Sequence, residues 1–466
     1  MNAQALSSRR RFLGQTACSA VTATPLLSTI LNLKMAGNAA AASSDPNDYK
    51  ALVCLFQGGG NDSFNMLVPR GASEYAEYEA TRSDLALAQN TLLPLNGTHG
   101  GKTFGVHAGM PEVQALYNSG DLAFVSNVGT LVEPVTLAQV ENESARLPLG
   151  LYSHNDQITH WQTSVPDRRS AIGWGGRVAD LLDSSNSNDN ISMSISLSGT
   201  NTFQAGESTV SYEIESSGNG AIVLADYAEN DNPTLTNLGK TAVNSLMDLE
   251  YQNLFQKTFA QRNRNAIDAS VEFSDAIAGV SAISTPFSTN GISNAFRMIA
   301  KTIAARDVLG MKRQTFFIMF GGWDHHDELI NAHAAMLPVV SKGIAEFHAA
   351  MGELGVADKV TTFTASDFAR TLSSNGRGSD HAWGSNHMVC GGAVQGGQIY
   401  GDYPDLGLGS SLDTGRGRLI PTMATDEYFA DLARWFGVSD ADMPAVFPNL
   451  DRFYTIGPDN PVGFMG

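Results

Sequence analysis

Short runs of apolar residues alternate along the chain with segments in which apolar residues recur every three or four positions. An uninterrupted apolar run is typical of a strand buried on both faces, and the three-to-four spacing is typical of a helix. The runs predict strands at Lys50–Phe56, Leu122–Val128, Gln314–Phe320 and Lys359–Thr364. The spacing predicts helices at Met110–Ser119, Asp327–Leu354 and Glu427–Phe436, and a longer helical region from Leu238 to Arg306.

Buried strands that alternate with helices predict an α/β fold, with a mostly parallel sheet and helices on both of its faces. Ile191–Leu197 alternates between apolar and polar residues and predicts a further strand, in an edge hairpin. The residues near 205–240, rich in Ser, Gly and Asn, predict an exposed insertion. In the long helical region, four residues at helical spacing are predicted to face the core: Tyr251, Leu254, Phe255 and Phe259.

The N-terminus has the composition of a targeting segment. Three arginines within Ser8–Leu13 precede a mildly apolar stretch, Thr16–Leu33, and the small residues Ala39–Ala41. This order is typical of a twin-arginine export signal with a peptidase site. The sequence therefore predicts a signal peptide over residues 1–41, a single domain over 42–466, passage through the twin-arginine translocase, and a periplasmic or secreted location. No stable membrane span is predicted.

The charge of the chain limits its partners. Its 466 residues carry a net charge of −18, and removal of the predicted leader, which holds four basic and no acidic residues, changes this to −22. A chain this acidic is a poor partner for nucleic acid or for anionic membrane surfaces. An anionic substrate would need a local positive field, for which metal ions are one source.

Two segments concentrate imidazoles and carboxylates in a chain with ten histidines. Gly321–Asp327 has two adjacent histidines between aspartates, and Gly378–His387 has an Asp-His pair and a second histidine. These are the ligands that zinc and similar divalent ions prefer. Asp62, Asp324 and Asp367 each follow a predicted strand end by three to six residues. Because functional groups of parallel sheets lie beyond the carboxyl ends of the strands, a metal centre is predicted at that edge.

The order of these motifs resembles the bacterial exported family known as domain of unknown function 1501, over essentially the whole mature chain. The segments that carry the resemblance are Gly58–Asp62, Phe104–His107, Ser153–His154, Gly321–His326, Ser366–Thr371, Gly378–Gly384, His387 and Gly391–Val394. That family is placed in the alkaline phosphatase superfamily, with sulfatases and cofactor-independent phosphoglycerate mutases as relatives. The resemblance therefore implies an alkaline-phosphatase/sulfatase-like fold and a centre of one or two divalent ions, with zinc expected.

The resemblance also implies roles for two residues near the start of the site. The first strand of the superfamily ends in a metal-binding aspartate, which Asp62 matches, although an aspartate after glycines can also be a helix N-cap. The nucleophile is a serine or threonine at the start of a helix, and Ser153 is the candidate for that catalytic position. A hydroxyl needs activation at neutral pH, which a bound ion supplies.

The remaining implied ligands form two sets. Asp324 and His326, completed by His387, match the ligands of one ion. The adjacent pair Asp380 and His381 matches the ligands of the other. The spacings are shorter than those of relatives, so two alternatives stay open: His325 in place of His326, and Asp367 in place of Asp380.

The predicted function is an exported metal-dependent hydrolase of phosphate esters, with sulfate esters as the second choice. The substrate would be a small-molecule or polymer-borne anionic ester. A formylglycine sulfatase is disfavoured because no Cys-x-Pro-x-Arg motif, or its serine counterpart, is present. The alternative is a non-catalytic exported binding or assembly protein that keeps the phosphatase-like fold, and a third possibility is a metal-stabilised structural domain.

Overall fold

The apolar runs of the sequence form the strands of one large sheet, because a segment buried on both faces leaves only its backbone to pair sideways. The computed structural model describes residues 48–223, 227 and 232–466, and Tyr49–Gly466 form one compact unit. Its strands are β1 (Lys50–Gly58), β2 (Leu67–Pro69), β3 (Leu93–Pro94), β4 (Phe104–Val106), β5 (Leu122–Gly129), β6 (Ser194–Ser196), β7 (Tyr212–Glu213), β8 (Arg313–Gly321), β9 (Val360–Ser366), β10 (Ser385–Cys390), β11 (Ile399–Tyr400) and β12 (Met423–Ala424).

Helices fill most of the segments between the strands. They are α1 (Ser63–Met66), α2 (Ala72–Arg82), α3 (Pro111–Ser119), α4 (Leu137–Glu141), α5 (His154–Thr163), α6 (Trp174–Leu182), α7 (Pro233–Met247), α8 (Leu254–Ala278), α9 (Gly291–Ala304), α10 (Leu329–Glu353), α11 (Thr425–Phe436) and α12 (Met443–Val446). The predicted leader, residues 1–41, lies outside the described residues, as do residues 224–226 and 228–231 of the predicted insertion.

The large sheet is mostly parallel, which confirms the predicted fold class. Its strands run in the order β11-β5-β10-β9-β1-β8-β6-β7, with β12 beside β5. Strand β1 pairs in parallel with β8 and β9, whereas β10 is antiparallel to β5 and β9. The hairpin predicted around Ile191–Leu197 is wrong, because β6 pairs in parallel with both β7 and β8. Strands β2, β4 and β3 form a small second sheet.

Helices cover both faces of the sheet, as the buried strands require. Alternate residues of β1 point to opposite faces. Leu55 belongs to one core, which includes Phe296 of α9 and Phe347 of α10. Phe56 belongs to the other core, where Trp174 of α6 stacks on Phe429 of α11 at 4.8 Å between ring centroids. The two cysteines of the described chain, in β1 and β10, are free and buried.

The predicted core face at the start of α8 is wrong. The side chains of Leu254, Phe255 and Phe259 are 73%, 84% and 68% exposed, and Tyr251 precedes the helix and is half-buried. From Ile267 onward, α8 joins the core, where Phe273 is fully buried. Helical spacing shows which residues share a face of a helix, but it does not show whether another element covers that face.

The carboxyl ends of three strands meet at one edge of the sheet. The parallel register places Gly58 of β1 beside Gly321 of β8, and Gln57 beside Ser366 of β9. The loops after these strands are held together by backbone contacts, since the Trp323 amide donates to the Gly58 carbonyl at 3.1 Å. The three loops that carry the predicted aspartates therefore start from one place.

Gly59 permits this close approach. Its φ is +121°, and a Cβ built on it would lie 2.5 Å from the Asp324 amide nitrogen and 2.8 Å from that of Trp323. Gly59→Ala should therefore lower the free energy of unfolding by about 2–5 kcal/mol, through backbone strain and overlap together. Gly97→Ala is the matched control: its φ is +82° but its Cβ would meet nothing within 4 Å, so the strain alone should cost about 1–2 kcal/mol. Denaturant unfolding measures both, and equal losses would contradict the close-approach argument.

Candidate metal centre and active site

Two neighbouring chain segments bring the second histidine motif to the edge where the strands end. The segment after β9 runs beside Asp380–Ala382, since the Thr371 amide donates to the Asp380 carbonyl at 2.8 Å and the Ala382 amide donates to the Ala369 carbonyl at 2.8 Å. The Gly59 amide donates to Asp367 Oδ1 at 3.0 Å and fixes the start of the same segment. His381 is thereby carried to the loop after β8.

Three imidazoles surround the carboxylate of Asp324. Its Oδ1 lies 3.1 Å from His326 Nε2 and 3.2 Å from His381 Nε2, and these two nitrogens are 3.0 Å apart. Its Oδ2 lies 3.4 Å from His154 Nε2. His154, Asp324 and His381 offer ligand atoms that all lie within 4.8 Å of one another. The structure thus assembles residues from distant segments into one cluster.

In two of the rings, an oxygen acceptor at Nδ1 determines which nitrogen carries the proton and which presents a lone pair to the cluster. His326 Nδ1 lies 3.1 Å from Asp380 Oδ1, and His381 Nδ1 lies 2.8 Å from the Tyr152 carbonyl. Neither oxygen can donate, so in a neutral ring Nδ1 carries the proton and Nε2 does not. The two Nε2 lone pairs then face each other at 3.0 Å, beside a carboxylate oxygen.

His154 is oriented in the same way. Its Nδ1 lies 2.6 Å from Asp367 Oδ2, which accepts the proton of that nitrogen, and its Nε2 faces Asp324. Metal-binding histidines in proteins are typically held through their second nitrogen by a carboxylate or a carbonyl, as all three rings are here.

This donor set fits a divalent cation. Convergent lone pairs repel one another unless a cation or a proton lies between them. Ligands about 2.0–2.1 Å from a tetrahedral zinc lie roughly 3.3 Å apart, close to the observed separations. Asp324, His326 and His381 would hold such an ion, with His154 as a further donor.

Arginines surround the cluster and balance its carboxylates. Buried Arg370 donates from Nη1 to Asp324 Oδ1 at 2.6 Å. Burial raises the pKa of Asp324, but the hydrogen bond and charge of Arg370 outweigh burial and hold it below its ordinary value. Burial likewise acts to raise the pKa of Asp380, yet hydrogen bonds from Asn375, Arg416 and His326 lower it to about 2. Both carboxylates are therefore ionised at neutral pH.

The histidine of the Asp-His pair is neutral in this setting. Burial lowers the pKa of His381, and the nearby charge of Arg370 lowers it further, against the opposing effect of the Tyr152 carbonyl. A neutral imidazole is the form that binds a metal ion.

Asp62, a predicted ligand, lies outside the cluster. Its carboxylate forms an ion pair with Arg82, and both side chains are fully buried. Arg82 also donates to the carbonyls of Thr371 at 3.1 Å and Leu372 at 3.3 Å, and so ties helix α2 to the segment that carries Arg370. A guanidinium occupies the position beside Asp62 where the resemblance implied a metal ion.

His387, another predicted ligand, is also not brought to the cluster. It lies within β10, where its Nε2 is 2.6 Å from Ser385 Oγ and its ring packs against Trp161 and stacks on Tyr428. Burial lowers the pKa of His387 to about 3. Its contacts are those of a neutral core histidine.

The structure also separates the two open alternatives. His326 enters the cluster, whereas His325 is buried against Trp323 and His333, with ring centroids 6.1 and 6.2 Å away. Asp367 and Asp380 both touch the cluster, each through the Nδ1 of a different histidine. Each aspartate holds a ring in place, while Asp324 faces all three.

Ser153 lies beside the cluster, at the N-terminus of α5. It stands between Tyr152, whose carbonyl holds His381, and His154. Ser153 is the N-cap residue of α5, yet its side chain makes no capping hydrogen bond. Tyr152 has a φ of +75°, which is uncommon for a bulky residue and marks a constrained turn. The helix N-terminus adds a partial positive charge at this position.

Sequence reasoning missed His154 as a donor, because an isolated Ser-His pair in a polar segment has no ligand spacing. The only available signal was its position next to the candidate nucleophile.

A family model described as "Protein of unknown function (DUF1501)" matches residues 49–442. The chain belongs to the DUF1501 family. The DUF1501 match spans every residue of the cluster and Ser153, so the site lies within the region that defines the family. A search of curated proteins returned no match.

The comparison with solved structures found distant likenesses, among them a synthase and a sulfatase. Ps i-CgsB in complex with k-i-k-neocarrahexaose has a TM-score of 0.33 at 10% identity, covering 86% of this chain and 76% of that one. The lipoteichoic acid synthase LtaP from Listeria monocytogenes has 0.31 at 7%, covering 85% and 76%. PsFucS1 sulfatase from Pseudoalteromonas sp. has 0.35 at 10%, covering 88% and 72%. Scores this low carry no conclusion about activity.

None of the described helices of this DUF1501 chain is long and apolar enough to cross a bilayer.

The cluster should bind zinc after the chain has been stripped with a chelator. Isothermal titration should show His381→Ala weakening zinc affinity by about 100-fold or more, because it removes a ligand. Asp380→Asn should weaken it by roughly 10–100-fold, because it perturbs the ring of His326. His348→Ala is the control, since His348 contacts Asp121 at 3.7 Å and not the cluster. Equal affinities in all three variants would contradict the assignment.

The buried pair of Asp62 and Arg82 should be structural. Arg82→Ala leaves a buried carboxylate without its partner and should lower the free energy of unfolding by about 3–5 kcal/mol. Arg377→Ala removes two ion pairs, with Asp327 and Glu328, whose arginine is 69% exposed, and the expected loss is about 0–1 kcal/mol. Denaturant unfolding in the presence of a chelator compares the two. A loss for Arg82→Ala as small as that for Arg377→Ala would refute the structural role.

Proposed function

We propose that this protein is an exported metal-dependent hydrolase of phosphate esters, with sulfate esters as the less favoured class. The observation that carries the proposal is the convergence of three Nε2 lone pairs on Asp324, each ring held by its Nδ1. The fold already has two large hydrophobic cores, so it does not need a metal centre for its stability. It is the arrangement expected where an ion takes part in chemistry.

One ion is proposed, held by Asp324, His326 and His381 with His154 beside it. When bound, such an ion supplies positive charge that polarises an ester oxygen and stabilises negative charge in the transition state. The second ion implied by the resemblance is not part of the proposal, since Asp62 is paired with Arg82 and His387 lies in the core.

The chain's own residues supply binding and attack. Ser153 is proposed as the nucleophile, because its hydroxyl makes no capping hydrogen bond to α5 and the residue stands between two residues that contact the cluster. His154, with Nδ1 bonded to Asp367, is adjacent in sequence and is the proposed acceptor of the serine proton at Nε2, while Asp324, His326 and His381 hold the ion.

Three arginines favour an anionic substrate. Arg370 contacts Asp324, Arg416 contacts Asp380, and Arg418 donates from Nε to the His381 carbonyl at 3.0 Å. Their three charges offset those of Asp324, Asp367 and Asp380, so a bound divalent ion would give the cluster a net positive charge in a chain whose own net charge is −18. Arginine groups of this kind recognise the oxygens of phosphate and similar anions.

Ser153→Ala should reduce turnover of an aryl phosphate by roughly a thousandfold or more while zinc affinity stays within a few-fold, because it removes the nucleophile and no ligand. Ser153→Thr should retain part of the activity, since it keeps a hydroxyl. The assay is release of the aryl alcohol by the zinc-loaded chain, with an aryl sulfate run in parallel. Full activity in Ser153→Ala would exclude the serine as nucleophile. A zinc-loaded chain inactive on both esters would favour the non-catalytic binding protein.

A further inference from the structure

The turn that precedes helix α5, residues 149–153, presents the Tyr152 carbonyl to the ring of His381. A carbonyl can hold a ring in one direction only if the backbone that carries it is itself fixed. The Ser153 amide donates to the Gly150 carbonyl at 2.8 Å and closes the turn on itself. The position of the closed turn then depends on what holds its first residues.

Two buried side chains of α5 hold the start of this turn. His160 Nε2 lies 2.8 Å from the Leu149 carbonyl, and burial lowers the pKa of His160, so the neutral ring donates from Nε2. Gln157 donates from Nε2 to the carbonyls of Leu149 and Gly150, each at 3.4 Å. Because Gln157 and His160 are three positions apart, they share one side of the helix. The turn is therefore anchored on the helix that it begins.

The other end of the Gln157 amide is bonded to the segment after β5. Thr130 is fully buried and donates from Oγ1 to Gln157 Oε1 at 2.6 Å. The carbonyl of Thr130 accepts a hydrogen bond from Trp383 Nε1 at 2.8 Å. Trp383 is two residues beyond His381 in the chain. These contacts form a closed circuit, which leaves His381 along its backbone and returns to its ring through Thr130, Gln157 and the turn.

A glutamine suits the centre of this circuit because its amide has an acceptor oxygen and a nitrogen with two donor protons. A leucine in place of Gln157 would fill nearly the same space, but it would leave the Thr130 hydroxyl and the Gly150 carbonyl without this partner. In a buried setting, a network of satisfied hydrogen bonds fixes the positions of its members. The side chain of Gln157 thus joins two segments that have no covalent reason to keep their distance.

We propose that Gln157 is a positioning residue of the metal centre, which fixes the Tyr152 carbonyl through the 149–153 turn and thereby the ring of His381. Without the bridge to Thr130 the turn can shift, and the acceptor of His381 Nδ1 shifts with it. The Nε2 atom then loses its fixed direction towards Asp324. The inference rests on the proposed function for the ion that His381 would hold, but it involves neither the substrate nor the nucleophile.

Isothermal titration of the full chain with zinc measures the effect. Gln157→Leu should weaken zinc affinity by roughly tenfold, the lower end of what residues that orient a ligand ring contribute. Thr130→Val should act in the same direction, whereas Thr130→Ser keeps the hydroxyl and should retain the affinity. Gln162→Leu is the matched control: Gln162 is a second buried glutamine of α5, but its Oε1 accepts from the Phe203 amide at 2.9 Å. It should leave zinc affinity unchanged, and melting temperatures confirm that all variants fold.

A double-mutant cycle with His381→Ala separates positioning from general damage to the fold. In the His381→Ala chain the ring is absent, so adding Gln157→Leu should weaken zinc affinity no further. Losses that add in the double variant would show that Gln157 does not act through His381, and they would overturn the proposal.

An unchanged zinc affinity in Gln157→Leu would also overturn the positioning role, while the proposed hydrolase would stand. Zinc affinity is measured without substrate, so the positioning role can hold in a chain that is inactive on both esters. A chain that binds no zinc in its unaltered form would overturn the metal centre and the positioning role together.

Discussion

Three imidazole rings held by their Nδ1 atoms are the constraint on which the rest of the site depends. The acceptors are the Tyr152 carbonyl and the carboxylates of Asp367 and Asp380, and each comes from a different segment. Because each ring is held through its Nδ1 by one of these acceptors, the three Nε2 atoms stay close to Asp324. The register of β1 between β8 and β9, with Gly59 at the crossing point, sets that space.

Two buried arginines balance the carboxylates at the site and beside it. Arg82 and Arg370 each pair with an aspartate, one buried and one in the cluster, and both act on the same loop after β9. The guanidinium of Arg82 offsets the charge of Asp62 within the core. Arg370, by contrast, contacts the carboxylate that faces the three histidines, so its charge acts within the cluster. The fold thus contains two arginine–aspartate pairs, of which one stabilises the core and the other belongs to the site.

The sequence predicted those features that depend on local pattern. Apolar runs predicted β1, β5, β8 and β9, and the histidine motifs named three residues that the structure brings together, Asp324, His326 and His381, because both signals are short-range. His387 misled the prediction because its distance from His381 resembles a ligand spacing, whereas its place within β10 points its ring into the core. His154 could not be found in this way, since its role comes from contacts with residues about two hundred positions away. Phe255 and Phe259 show the same limit, because periodicity contains no information about what covers a helix face.

Tyr152, Ser153 and His154 are consecutive, and they differ in what they contribute. The first holds the ring of His381 through its carbonyl, the second has a hydroxyl, and the third faces Asp324. The constrained backbone at Tyr152 joins these contributions into one rigid unit. An insertion or deletion of a single residue here would therefore displace the Tyr152 carbonyl, the Ser153 hydroxyl and the His154 ring together, and the ring of His381 would lose the acceptor that fixes it.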